Sequence, residues 1–112
     1  MHGIEGVDLY HMTCQASQLI LTHLVPRFPE RDGDVLVAQL SRASQTLPRL
    51  ITEESFEEAM AEAYEIVVSL CCCHYWYTTQ ADTTLCRHLI ETYSQVSRRL
   101  LMLSETQLTK RR

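Results

Sequence analysis

Three consecutive cysteines followed by a histidine, Cys71-Cys72-Cys73-His74, are the residues in this chain best suited to ligate a metal or attack an electrophile. On a helix, consecutive side chains point about 100° apart, so three adjacent thiols cannot converge on one ion. Cys71 and His74 can share a face and Cys86 can approach from a neighbouring helix, which is still short of a tetrahedral set. With Cys14 the cysteines number five, an odd count that makes a poor disulfide framework. Reduced thiols packed as small hydrophobes are therefore expected. His11 and His23 stand twelve residues apart, about 18 Å along one helix, too far to share a ligand. His88 precedes a core leucine and reads as a surface or boundary residue. Carboxylate metal centres in helical bundles require Glu-x-x-His on facing helices, and the glutamates at 53–65 carry no such motif. There is no glycine-rich phosphate loop, G-x-S-x-G, H-E-x-x-H or paired C-x-x-C. The expectation is a non-enzymatic protein without cofactor or metal.

Charge is the next constraint. Ten Lys plus Arg stand against fourteen Asp plus Glu, a net charge of −4, whereas nucleic-acid binders usually carry a basic excess. The distribution is uneven. Glu53, Glu54, Glu57, Glu58, Glu62 and Glu65 fall in one stretch without a base. From residue 87 onward Arg87, Arg98, Arg99, Lys110, Arg111 and Arg112 oppose only Glu91 and Glu105. This pattern is either two solvated helix faces or a chain that pairs with copies of itself or offers a basic rim to a partner. Those six bases are the candidate contacts for nucleic acid or a protein partner.

Positioning these residues requires helices. Leu9, Met12, Ala16, Leu19, Ile20 and Leu24 repeat with helical period from Val7 to Val25, and Pro26 stops the segment. A turn-rich connector follows, in which Asp32 or Asp34 can cap a second helix carrying Val35, Leu36, Leu40, Ala43 and Leu47. Pro48 should bend or end that helix. Thr52 is the expected cap of a third, with Phe56, Met60, Ala63, Val67 and Leu70 on its core stripe. Asp82 is the expected cap of a fourth, lined by Leu85, Leu89, Val96, Leu100 and Leu103. No segment has strand period. The 112 residues thus predict one all-α domain over 1–104, an up-down-up-down antiparallel four-helix bundle, with a fraying polar, basic tail at 105–112. No apolar run reaches the roughly 20 residues that cross a bilayer. The start Met1-His2-Gly3-Ile4-Glu5 lacks signal-peptide character, so a cytoplasmic protein is expected.

Helix three carries more apolar residues than one core stripe needs: Ile66, Val67, Val68 and Leu70, then the cysteines, Tyr75, Trp76 and Tyr77. The surplus marks either the most buried helix or a subunit interface, for which Tyr75, Trp76 and Tyr77 are the candidates.

One stretch is more specific. Phe28-Pro29, then Gln39-Leu40, Arg42-Ala43 and Leu47-Pro48, resembles the four-helix-bundle family of 23S rRNA-intervening-sequence proteins. In that family a Phe-Pro connector precedes a Q-L-x-R-A core and an aliphatic-Pro pair closes helix two. The likeness covers about residues 7–103. Arg49-Leu50-Ile51-Thr52-Glu53-Glu54 departs from the family's Asn-Ile-Ala-Glu-Gly-like turn by lacking the glycine. The family includes the accessory variability determinants of diversity-generating retroelements, which are basic where this chain is acidic. The resemblance implies a barrel-like homopentamer whose partners are copies of itself, a reverse transcriptase, and RNA or DNA. It leaves two other readings open: a self-assembling bundle with no nucleic-acid role, and a small helical regulator that sequesters a partner protein. Gln39 and Arg42 share one side of helix two, either as a solubilising surface or with Arg42 paired with a carboxylate at 57–65 of helix three.

Overall fold

A computed structural model describes residues 3–28, 34–77 and 79–110. Those residues are all helical or in turns, without a strand. Helix α1 runs Gly3–Leu19, α2 Asp34–Thr52, α3 Phe56–His74 and α4 Gln80–Lys110. Chain neighbours pack on one another and α1 closes against α4, so the four helices stand around a single core. Ser17 against Ser44, Gln39 against Glu65 and Cys86 against the Leu70 carbonyl fix adjacent helices as antiparallel. The result is a rod of 49 × 22 × 17 Å. No helix among the described residues is long and apolar enough to cross a membrane.

The core holds most of the expected stripes: Leu9, Ile20 and Leu24 from α1, Leu40, Ala43 and Leu47 from α2, Ala63 and Leu70 from α3, and Leu89, Val96 and Leu100 from α4, whereas Val35, expected among them, is exposed. Each fully buried leucine or isoleucine contributes about 1.5–3 kcal/mol relative to exposure. Small Ala43, Ala59 and Ala63 are also buried, which lets α2 and α3 approach closely.

Several boundaries differ from expectation, each for a local reason. The first helix widens into a π turn over Ile20–Leu24 and tightens into a 3-10 turn over Val25–Arg27. Pro26 offers no N–H to the helix ladder, and the chain absorbs that defect by changing pitch around it. Pro48 neither ends nor caps α2, which continues to Thr52. Leu50 and Ile51, in the turn beyond it, are buried, and their burial outweighs the lost hydrogen bond. Thr52 therefore does not cap α3. Its hydroxyl donates to the Pro48 carbonyl, and Ser55 stands before α3 instead.

The α2–α3 turn is a Schellman closure: Ser55 N–H donates to the Leu50 carbonyl and Glu54 N–H to the Ile51 carbonyl, both at 3.0 Å. Glu54 sits at φ 58°, the left-handed position that ordinarily takes glycine. At the start of α4 the cap is Thr79, whose hydroxyl accepts from Asp82 N–H at 3.1 Å. Asp82 instead receives Arg27 at 3.1 Å, fastening the end of the first helix to the start of the last. The expected fraying tail is helical to Lys110, with Ser104 buried and Gln107 Nε2 donating to the Glu54 carbonyl at 3.4 Å.

Candidate interaction surface

The bundle positions the apolar members of the family-like motif on α2 inside itself. Leu40, Ala43, Leu47 and Pro48 are buried, and Phe28 packs edge-to-face on Tyr77 with ring centroids 5.7 Å apart. Pro29 lies outside the described residues. Gln39 Nε2 donates to Glu65, whereas the expected partner of the α3 carboxylates is Arg42. Arg42 is exposed and faces Glu62, whose carboxyl is pushed up by burial and by Glu65 and drawn back by the guanidinium.

Of the three aromatics expected at an interface, two are available. Tyr75 is 88% exposed and Trp76 45%. Tyr77 is a core residue: it is 6% exposed and its hydroxyl donates to the Leu24 carbonyl at 2.5 Å. The bond reaches that carbonyl where the first helix tightens into its 3-10 turn, in which Phe28 N–H goes to Val25. Burial pushes the Tyr77 phenol up, so it stays a donor throughout the physiological range.

The apolar surplus of α3 is instead an outward seam that begins well before the helix end. Ala61, Tyr64, Val68, Cys71 and Tyr75 are all exposed, at the alternating four- and three-residue spacing of a coiled-coil face. Tyr64 is 69% exposed, which a single-chain bundle gives no reason for. With Met60, Val67, Ser94, Ser97, Arg98 and Leu101 it lines an open groove of about 270 Å³ between α3 and α4. Tyr64 and Ala61 carry no signal alone; the 4–3 spacing alongside the core stripe was the pattern that could have found them.

The cysteine run splits as helix geometry demands, although two thiols are not buried as expected. Cys71 and Cys72 are exposed, Cys14 is half-buried, and Cys73 and Cys86 are in the core. Burial, with Cys86 nearby, pushes the Cys73 thiol up to about 12; burial, with Cys71 nearby, pushes Cys86 up to about 11. Both buried thiols are inert at neutral pH. No group of three His, Cys, Asp or Glu among the described residues could hold a metal ion.

Among the described residues the basic candidates stand apart from one another. Arg99 is tied at 2.7 Å to both Glu5 and Asp8, which hold its guanidinium charged and pin α4 to the first turns of α1. Arg87 and Arg98 are exposed on one face of α4, eleven residues and about 16 Å apart, with Glu91 exposed between them. Lys110 is exposed at the helix end, while Arg111 and Arg112 lie outside the described residues. Comparison with protein families, with curated proteins and with solved structures finds no match to this chain.

Proposed function

We propose that this protein is a non-enzymatic, homo-oligomeric accessory protein that works by binding other macromolecules, of the kind that serves the reverse transcriptase of a diversity-generating retroelement. The observation that carries the reading is the exposed seam of α3, a coiled-coil face without a partner inside its own bundle. The family resemblance of the Phe28 to Pro48 stretch supplies the partner class and a ring of five copies. In such a ring the seam is covered by a neighbour, and Arg87, Arg98 and Lys110 stay on the outside for the polymerase or its nucleic acid. Repeated around a ring, even two free arginines per copy make a considerable local field.

The test is co-purification of the chain with a reverse transcriptase encoded beside it, with light scattering for the mass of the free protein. Retention that Arg87→Glu with Arg98→Glu abolishes supports the reading; retention indifferent to that reversal refutes the role of the arginines. A second reading, self-assembly with no nucleic-acid role, is favoured by Glu91 between Arg87 and Arg98 and by the engagement of Arg99 with two carboxylates. It predicts assembled protein with no salt-dependent binding to RNA.

A further inference from the structure

The outward face of α2 is the counterpart of the α3 seam. Val35, Ala38, Arg42, Gln45 and Arg49 are exposed with the same alternating spacing, and Val35, Ala38, Gln39 and Arg42 line a groove of about 410 Å³. The two faces are matched in character from end to end. The seam of α3 begins acidic at Glu57 and becomes apolar at Tyr64, Val68 and Cys71; that of α2 begins apolar at Val35 and Ala38 and becomes basic at Arg42 and Arg49. They are also matched in height. The helices are antiparallel with Gln39 level with Glu65, so Ala38 and Val35 stand beside Val68 and Cys71, and Arg49 beside Glu57.

We infer that the α3 seam of one copy packs antiparallel on the α2 seam of the next, so that the protein assembles by a repeated head-to-tail contact between two different faces. This rests on the self-assembly reading above and names the surfaces that would perform it. Two copies standing side by side and upright bring Val68 against Ala38 and Val35, Tyr64 over the Arg42 guanidinium, and Glu57 against Arg49, without sliding. Arg49 is free to take that role, since its pair with Glu53 is long, 3.7 Å, and the Arg49 side chain is 68% exposed. The contact of two α3 seams related by a two-fold axis would leave Glu57 and Glu58 without a base and the α2 arginines unused.

Head-to-tail contacts close into rings when the angle between the two faces permits. In a four-helix bundle with neighbours at the corners of a square, the outward faces of adjacent helices lie roughly 90° apart. Closure needs about 90° for four copies and about 108° for five. Faces on α2 and α3 therefore close a ring of four or five; faces on opposite sides of the bundle would build a filament.

Two surface variants test this. Tyr64→Asp spoils the α3 face and keeps the α2 face; Ala38→Asp does the reverse. Both positions are exposed, and circular dichroism checks that each variant folds. The wild type should have the light-scattering mass of four or five protomers, and each variant alone the mass of one. An equimolar mixture of the two variants should give dimers and nothing larger, because only one live contact remains. An Ala38→Asp protein with the wild-type mass overturns the role of α2 while self-assembly stands. A wild type that is monomeric at high concentration overturns both.

Discussion

Two buried tyrosines differ in a way that predicts opposite effects of the same atomic deletion. Tyr93 is fully buried, and its hydroxyl has no hydrogen-bond partner among the described residues. Tyr77 is also buried, but its hydroxyl donates to the Leu24 carbonyl. An unsatisfied buried hydroxyl costs about 1–3 kcal/mol, so Tyr93→Phe should stabilise the fold by about 1 kcal/mol, after allowing for a small void where the oxygen was. Tyr77→Phe loses a buried hydrogen bond, a destabilisation of about 1 kcal/mol. For a domain of this size the two shifts correspond to a rise and a fall of about 5 °C in Tm. Thermal and urea denaturation followed by circular dichroism at pH 7 measure both, at one protein concentration so that association does not differ between samples. A Tyr93→Phe protein less stable than wild type by 1 kcal/mol or more would refute the argument, since it would show the hydroxyl to be paired.

Three other outcomes follow from the same structure. Glu54→Gly should raise stability by about 1 kcal/mol in a thermal melt, because glycine removes the left-handed strain at φ 58°. Stability should decline with rising pH from about 9 upward. Cys73 and Cys86 ionise near 9.0 in the unfolded chain but only near about 12 and about 11 when folded, so the unfolded state loses protons first; a pH series of denaturation midpoints that stays flat from 9 to 11 would count against their burial. A thiol reagent at neutral pH should modify Cys71 and Cys72 quickly, Cys14 more slowly, and Cys73 and Cys86 only after denaturation, as mass spectrometry of the labelled peptides would show.

The sequence made the core stripes legible because they depend on period alone: Leu40, Ala43 and Leu47 or Leu89, Val96 and Leu100 need no knowledge of a partner helix. Local rules failed where a non-local term exceeded them. Pro48 reads as a stop, yet Leu50 and Ile51 beyond it are worth more in the core than the bond it forfeits. Thr79 and Asp82 are both sound caps, and the choice between them was made by Arg27, 55 residues away. Glu54 carries no turn signal, since its left-handed backbone is imposed by the helix pair on either side. The same distinction separates the candidate surface residues. Trp76 and Tyr75 announce themselves by type, but whether Tyr77 points out or in is set by the turn after α3 and by the Leu24 carbonyl near the end of the first helix. Arg99 counts as a free base only until the first turn of the chain folds against it.

That clamp between Arg99 and the carboxylates of Glu5 and Asp8 spans more than ninety residues of chain, while the other helix interfaces join immediate neighbours. The helices α2, α3 and α4 can therefore zip up from turns only a few residues long, and the bundle becomes a closed cylinder only when its first helix is drawn onto its last. The α1–α4 junction is also the sparsest of the four helix interfaces. It is the hinge line along which the native protein should open before it unfolds as a whole, with amides of α1 exchanging ahead of those in α3.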